Sequence, residues 1–427
     1  MRSSSRMGTT TEITRRAYPV CTVSAVAELL TVDDALVRVL ARVTPLAAEP
    51  VPLEEATGRV LAEDAHALID LPRFPSSAMD GFALRAQDTP GTLPVVAHIA
   101  AGVPAGRRLG AGEAMTIATG GVVPDGADAV VPIEHVTVDG DVVLVDAPVA
   151  LGANVRERGG DVAAGERVLA RGTLLSASRI AALASAGVAE PRCARRPTVA
   201  IVTTGTELRR PGEELADGQI YESNGVMLAG LLEEAGAIVE RREGVADDEE
   251  AHRAALASAL EADVVVTSGG VSVGPHDLVR RTLAELGAEE DFWGVAMRPG
   301  KPLSFSVRGA TLVFGLPGNP VSSLVGGLLF VLPAIRALQG STAPAPRFRL
   351  GTLGAAAVRR PSRDDYQRAA LEERDGGVVL HPLAGQESHM IVRAAAADAL
   401  LHVPRGEGEL PAGAIVRYLP LDAAGSA

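Results

Sequence analysis

The sequence predicts a multidomain α/β protein in which a doubly wound domain lies between a mostly-β N-terminal module and a small C-terminal β domain. Three observations predict this arrangement. The chain has 427 residues, more than one ordinary compact core accommodates. After Pro197, wholly apolar strands alternate with helices, a pattern typical of a parallel, doubly wound sheet. On both sides of that stretch, proline and glycine separate short apolar runs, as in small β domains.

The N-terminal half is predicted to contain little helix. Residues 1–25 are expected to be a flexible tail; they have arginines but no apolar run, so they do not resemble a secretory signal. Residues 31–40 predict a helix with an aspartate-rich first turn. Residues 66–149 hold short Val, Ala and Leu runs and predict a small mostly-β domain. The segment 152–172 is rich in turns, and a helix follows at residues 178–186.

The elements of the central domain follow in a regular order. The strand TVAIVTTGTEL ends in a glycine loop, and the helix Asn224–Ala235 stops at Gly236, a common helix terminator. The further predicted elements are a strand at AIVERREGV, a helix at DDEEAHRAALASALE, a buried strand at DVVVTSGGVSVG, a helix at DLVRRTLAEL, and strands at Leu303–Val307 and Thr311–Phe314. From about Ala343, short alternating strands predict the C-terminal β domain.

Composition excludes several classes of protein. The net charge is −13, from 40 basic and 53 acidic residues, which argues against binding nucleic acid or an anionic membrane. Cys21 and Cys193 are the only cysteines, too few for a disulfide framework or a zinc cluster, so a reducing cytoplasm is expected. The most apolar stretch, Val321–Ile335, is too short to span a bilayer and contains Pro333, and we expect a soluble protein.

Lysine occurs once, at Lys301, whereas the other 39 basic residues (40 − 1) are arginine. A genomic preference for arginine explains most of this bias. Lysine and arginine are not interchangeable, because an ammonium is a compact charge. The position of the single lysine therefore favours a functional role.

Two predicted strands end in glycine loops that carry hydroxyl groups and are followed by an acid. Glycine lets backbone amides approach an anion closely, and ligands bind at the carboxyl ends of parallel strands. Two carboxylates there could hold a divalent metal; alternatively, the loops are ordinary turns and the acids cap helices. The residues concerned are Thr204, Gly205 and Glu207 in the first loop, and Ser268, Gly269, Gly270 and Ser272 with Asp277 in the second.

A third loop combines two cations with a rigid turn. Arg298 and Lys301 flank Pro299-Gly300, and Pro302 follows, an arrangement that could hold a tetrahedral oxyanion. Downstream, Pro317-Gly318-Asn319-Pro320 precedes a helix with Ser322 in its first turn, which either attracts an anion or simply caps the helix. The sequence contains no evident Ser-His-Asp or Cys-His set, no histidine metal spacing, and neither a Rossmann nor a Walker fingerprint.

Taken together, these segments resemble the molybdopterin molybdenumtransferases, which include the gephyrin-type enzymes. The resemblance runs from about residue 26 to the end of the chain. Its markers, in order, are SAMDGFA, TGGVVPDGADAVV, VRERGGDVAAGE, IVTTGTEL, QIYESNG, SGGVSVGPHD, RPGKP, GLPGNPVSS, and ESHM with LPAGAIVRYLPL. The turn departs from the family's usual KPGKP, since Arg298 replaces its first lysine.

The resemblance implies an elongated, dimeric four-domain protein. It implies a linking and dimerisation domain of residues 26–65 with 150–196, the small β domain 66–149, a molybdopterin-binding α/β domain 197–340, and a C-terminal domain 341–427. It further implies a reaction of molybdate with adenylylated molybdopterin that requires a divalent cation, Mg²⁺, and releases AMP and molybdenum cofactor.

The resemblance also assigns roles to individual residues. Glu207 and Asp277 match acids at the pterin-phosphate and metal site. Asp80, Thr119 and Asp161 match residues that the dimer partner contributes to the same cleft. The residues that match the molybdate-binding part are Arg298, Lys301, Pro302, Ser322, Arg368 and Ser388. A molybdopterin adenylyltransferase and apo-molybdoenzymes are the macromolecular partners it implies.

Two other functions remain open from the sequence. An adenylyltransferase that activates molybdopterin shares the glycine-loop domain, but its relatives typically have a single domain. A non-catalytic molybdopterin carrier would keep the fold without the chemistry. The retained acids Asp80, Asp161, Glu207 and Asp277 argue against the carrier.

Overall fold

The computed structural model describes residues 29–245, 249–270 and 278–421. Its centre is a six-stranded sheet flanked by helices on both faces. In spatial order the strands are Ile238–Val245, Thr198–Thr204, Val264–Ser268, Thr311–Leu316, Ser304–Arg308 and Glu289–Trp293. The first four are mutually parallel, which confirms the doubly wound prediction. The last two pair antiparallel, because a short turn at Gly309 joins Ser304–Arg308 directly to Thr311–Leu316.

Side-chain alternation explains why the inner strands Thr198–Thr204 and Val264–Ser268 carry apolar side chains on both faces. Val199, Ile201 and Val264 face one core, whereas Ala200 and Val202 face the other. Helices cover both faces of the sheet, so the inner strands carry apolar side chains on each face, whereas the edge strands Ile238–Val245 and Glu289–Trp293 also carry charged residues. The helices of this domain are Asn224–Glu234, Glu249–Ala259, Leu278–Glu285 and the segments Pro320–Gly326, Gly327–Val331 and Leu332–Leu338.

The last three segments form one continuous apolar helix, Pro320–Leu338. It has 19 residues and, by length and composition alone, is long and apolar enough to cross a membrane. The prediction that the most apolar stretch is too short to span a bilayer was therefore wrong. The helix lies 83% buried inside the protein, as a core helix does. Its middle, Gly327–Val331, is π-helical, which accommodates Pro333 because proline lacks an amide donor.

The N-terminal helix Val32–Ala41 is capped by Thr31, whose hydroxyl accepts from the Asp34 amide at 3.0 Å. The sequence placed it with the linking domain. In the structure Val32, Ala35 and Val39 are part of the central core, because an amphipathic helix packs wherever an apolar surface is left open. Its neighbour Leu30 bridges to Val295.

The remaining N-terminal residues form two small β modules. In the linking module Ala48–Pro50 pairs with Arg192–Ala194, and Ala65–His66 pairs with Arg167–Leu169, so its two sequence segments do lie together. Its helix is Ala177–Ser185. The small β domain is a six-stranded sheet in the order Ala129–Pro132, Gly81–Leu84, Ala114–Ile117, Gly91–Ile99, Val142–Val145 and Thr137–Asp139. Ser76–Ser77 pairs with Val155–Arg156 beside it.

The C-terminal domain is a closed barrel. Its strands, in order, are Asp364–Arg374, Gly377–Pro382, Arg349–Leu353, Ile415–Pro420 and Ala399–Val403. The last strand pairs with the first, which closes the barrel and removes exposed edges. A short strand of the central domain, Met297–Arg298, pairs in parallel with Asp364–Asp365.

Candidate active site

Three loops meet at the carboxyl ends of the parallel strands. Thr204 is the last residue of the first of three neighbouring strands, and Gly269 and Gly318 come just after the ends of the other two. A methyl group at Gly269 would lie 2.9 Å from Thr204 Oγ1, and one at Gly318 would lie 3.7 Å from the Gly269 Cα. Gly269 also has a φ of +98°, which favours glycine. The predicted glycine loops therefore form one packed surface of backbone.

An asparagine that was not predicted as a site residue holds these loops together. Asn224 Nδ2 donates to Ser268 Oγ and to the Gly318 carbonyl, each at 2.8 Å. Ser323 Oγ donates to the Pro317 carbonyl at 2.5 Å and lies 3.3 Å from Ser268 Oγ. The motif QIYESNG contained Asn224, but nothing local indicated which loops it would reach.

Glu207 lies in the first of these loops, beside Gly205. Its carboxylate covers Gly205, since a methyl group there would lie 2.6 Å from Glu207 Oε1. Glu207 is exposed, and its carboxylate has no hydrogen-bond or ion-pair partner in the described part of the chain. Its predicted companions Ser272 and Asp277 lie outside the described residues. Within the described ranges, no group of three or more His, Cys, Asp or Glu could hold a metal ion.

A second acid near the loops was not predicted. Glu222 is 3% exposed, and its Oε1 accepts from the Gly225 amide at 2.7 Å. A methyl group at Gly225 would lie 3.0 Å from Glu222 Oε2. The carboxylate thus sits at the start of the helix Asn224–Glu234, where negative charge is favourable.

The basic turn lies against the start of the helix Pro320–Gly326. Gly300 has a φ of +102°, and a methyl group on it would lie 3.6 Å from the Ser322 carbonyl. Lys301 and Pro302 follow and are partly exposed. The Lys301 ammonium has no carboxylate partner among residues 29–245, 249–270 and 278–421. An unpaired cation at this position is available to an anion.

Arg298, at the other end of the turn, is paired. Its Nη1 donates to Asp365 Oδ2 at 3.3 Å, and the arginine side chain is 34% exposed. Asp365 itself is 3% exposed. The two predicted cations of the turn thus have different environments.

The loop that carries Ser388 closes over the same helix start. The Val321 amide donates to the Ser388 carbonyl at 3.0 Å. Ser322 beside it is 3% exposed. The Ser388 backbone therefore lies against Val321, the residue that precedes Ser322.

Arg368 has a different environment from the one expected of an oxyanion ligand. It is 1% exposed, and burial lowers the pKa of its guanidinium. Its guanidinium donates to Gln386 Oε1 at 3.3 Å and to the carbonyls of Gly385, Glu387 and Met390 at 2.6, 3.3 and 2.8 Å. These bonds hold in place the loop 385–390, which carries Ser388.

The two acids and the threonine that were predicted upstream, Asp80, Asp161 and Thr119, lie in the N-terminal modules. Asp80 Oδ1 accepts from the Thr119 amide at 2.7 Å and from Thr119 Oγ1 at 3.0 Å. Both bonds lower the pKa of Asp80, and the bond from the Thr119 backbone amide has the larger effect. Asp161 is exposed, and its amide donates to the Leu71 carbonyl at 2.9 Å. All three of these hydrogen bonds stay within the N-terminal modules, and none of them links Asp80, Thr119 or Asp161 to the glycine loops.

Three family models match successive parts of the chain. The MoeA N-terminal region (domain I and II) matches residues 30–187. A probable molybdopterin binding domain matches residues 200–337, and the MoeA C-terminal region (domain IV) matches residues 351–421.

Curated relatives match over most of their length. Molybdopterin molybdenumtransferase 2 of Mycobacterium tuberculosis is 37% identical over 376 residues, which cover 85% of this chain and 92% of the relative. Molybdopterin molybdenumtransferase of Staphylococcus aureus is 33% identical over 390 residues, which cover 90% of this chain and 93% of the relative. A solved structure, the molybdopterin biosynthesis MoeA protein from Pyrococcus horikoshii, superposes with a TM-score of 0.80 at 31% identity, over 92% of this chain and all of that one. With identity, coverage and fold in agreement, the chain belongs to the MoeA family of molybdopterin molybdenumtransferases.

Proposed function

We propose that this protein inserts molybdate into adenylylated molybdopterin and releases AMP and molybdenum cofactor. One observation carries the proposal. The glycine loops, the basic turn with its unpaired Lys301 and the Ser388 loop, which accepts a bond from the Val321 amide, lie around one end of the central sheet. A surface of backbone amides suits the pterin phosphates, and an adjacent compact cation suits a tetrahedral oxyanion.

The protein's own residues then divide the work. The loops at Gly205 and Gly269 hold the phosphates by backbone donors. Asn224 keeps the second and third loops in register through Ser268 and Gly318. Lys301 holds molybdate, and the loop around Ser388, fixed by Arg368, closes over it.

We propose Mg²⁺ as the cofactor, with Glu207 and Asp277 as its carboxylate ligands. The exposed Glu207 carboxylate, without a partner in the described residues, fits this role, since Mg²⁺ is bound through one or two carboxylates together with substrate phosphates. When bound, the ion would neutralise the phosphate charge that develops as AMP leaves.

We further propose a cytoplasmic homodimer in which Asp80, Thr119 and Asp161 of one subunit complete the cleft of the other. What supports this is that Asp80 bonds to Thr119 within its own small β domain and keeps an exposed, ionised carboxylate. A molybdopterin adenylyltransferase would supply the substrate, and apo-molybdoenzymes would receive the product.

The test is AMP release from adenylylated molybdopterin with Mg²⁺, measured with and without molybdate. Molybdate-dependent release together with active cofactor supports the transferase. Tight pterin binding without AMP release would contradict it and identify a carrier, whereas ATP-dependent adenylylation of molybdopterin would identify an adenylyltransferase.

A further inference from the structure

The basic turn is attached to the C-terminal barrel. Met297 pairs with Asp364 and Arg298 with Asp365 in a parallel register. The turn at 299–301 is therefore anchored at its first end by a barrel strand. Its geometry depends on a domain that lies more than sixty residues further along the chain.

Asp365 makes the side-chain part of this attachment. Its Oδ2 accepts from Arg298 Nη1 at 3.3 Å and from Gln367 Nε2 at 3.1 Å. Arg360 Nε lies 3.6 Å from the same oxygen. The Asp365 side chain is only 5% exposed. A buried carboxylate costs free energy unless it is paired, and here two guanidinium groups and an amide satisfy it.

The charge of Asp365 works against an anion site. A carboxylate beside the turn reduces the positive potential that would attract molybdate. Its presence is therefore explained by geometry rather than by charge. Arginine carries five N–H donors in a rigid plane. Asp365 takes Nη1, whereas Nε and Nη2 of Arg298 have no partner in the described residues.

We propose that Asp365 is a positioning residue that orients Arg298 so that its Nε and Nη2 edge faces the oxyanion. This inference rests on the proposed function. It also explains why position 298 is arginine where the family usually has lysine. An ammonium has no planar set of donors with which to bond Asp365 on one side and the oxyanion on the other. Two neighbouring donors of one guanidinium match two oxygens of a tetrahedral oxyanion.

Charge and geometry predict opposite results for Asp365→Asn. If only charge mattered, removing the carboxylate would tighten molybdate binding. If Asp365 positions Arg298, binding weakens, by about tenfold for the loss of one charge-assisted contact. Equilibrium dialysis of the full-length protein against molybdate measures the difference directly. Asp364→Asn is the matched control, because Asp364 bonds to the Arg405 amide and His402 and should leave binding unchanged.

Two more variants keep the test decisive. Arg298→Lys retains the charge, and we expect it to weaken binding about as much as Asp365→Asn does. In an Arg298→Ala background, Asp365→Asn should have no further effect, because Asp365 acts through Arg298. Urea unfolding of each variant checks that the fold is intact.

Unchanged or tighter binding by folded Asp365→Asn would overturn the inference, and so would an absence of molybdate binding by the wild type. If Asp365→Asn does not fold, Arg298→Lys decides alone: tenfold weaker binding supports the inference and wild-type affinity overturns it. Wild-type binding without AMP release would remove the proposed reaction but not this inference.

Discussion

Asn224 Nδ2 lies 2.8 Å from Ser268 Oγ, and this bond joins the start of the helix Asn224–Glu234 to the last residue of the strand Val264–Ser268. The same nitrogen donates to the Gly318 carbonyl, so one amide group spans two of the three loops. Both of its protons are thereby used, and neither loop can shift without losing a bond. The backbone of these loops is therefore held in one arrangement before any ligand binds.

Replacing Asn224 by alanine should weaken binding of the pterin substrate. Each lost hydrogen bond is worth about 1 kcal/mol, so the loss of two should reduce affinity by roughly tenfold or more. Fluorescence titration with molybdopterin measures it. Ser223→Ala is the control, because Ser223 makes no capping hydrogen bond. Equal affinities for the two variants would contradict the role of Asn224.

Gly269→Ala tests the close packing of the loops. The methyl group would meet Thr204 Oγ1 at 2.9 Å and the Thr204 carbonyl at 3.0 Å, at a φ of +98°. Gly212→Ala is a close match, with a φ of +94° and open space around the methyl group. The control should cost about 1–2 kcal/mol for the backbone conformation alone. We expect Gly269→Ala to cost more and also to abolish pterin binding, as urea unfolding and titration would reveal.

The parts of the fold that sequence predicted are those that local pattern determines. The apolar run Val264–Val266 requires cover on both faces of the sheet, and Gly269 follows directly after the strand Val264–Ser268. The helix Val32–Ala41 was predicted as a helix, but its apolar face does not say which core it joins. Hydrophobic periodicity defines an element and its buried face, not its partner.

The missed parts of the site depend on contacts between distant residues. Asn224 and Gly318 are 94 residues apart, and Arg298 and Asp365 are 67 apart. The resemblance gave Arg368 as a candidate for molybdate binding. Only tertiary structure places its guanidinium in the interior, bonded to carbonyls of the loop 385–390.

Lys301→Ala should raise the molybdate concentration needed for AMP release by roughly tenfold or more, since a charge-assisted contact to a desolvated anion is worth about 1.5–3 kcal/mol. Saturating molybdate should restore most of the rate, because the pterin loops are unchanged. Lys301→Arg keeps the charge and should lose less. An unchanged molybdate dependence in Lys301→Ala would contradict the proposal that Lys301 binds molybdate.

Arg368→Lys separates a positioning role from direct contact. Lysine keeps the charge but cannot bond to Gln386, Gly385, Glu387 and Met390 together, and an unsatisfied buried carbonyl costs about 1–3 kcal/mol. We expect faster amide hydrogen exchange in residues 385–390 and weaker molybdate use. Normal exchange with weaker molybdate use would instead indicate that Arg368 contacts the oxyanion.

Asp263 should make stability depend on pH. Burial raises its pKa, but bonds from Arg195 at 2.6 and 2.7 Å and from Thr198 at 2.8 and 2.9 Å outweigh burial, so the pKa is lowered. A carboxyl whose pKa is lower in the folded state stabilises the fold above its unfolded pKa, and this contribution is lost as pH falls through the folded pKa.

Asp263→Asn should therefore cost about 2 kcal/mol at neutral pH. The difference from wild type should shrink once the pH falls below the ordinary aspartate range. Urea unfolding at several pH values measures this, and Asp64→Asn serves as the comparison: the pKa of Asp64 is also lowered, chiefly by the Arg171 amide, but its pair with Arg167 is more exposed, so we expect a smaller loss. A difference between Asp263→Asn and wild type that stays constant down to the acid limit of the folded protein would show that the charge of Asp263 contributes nothing to stability.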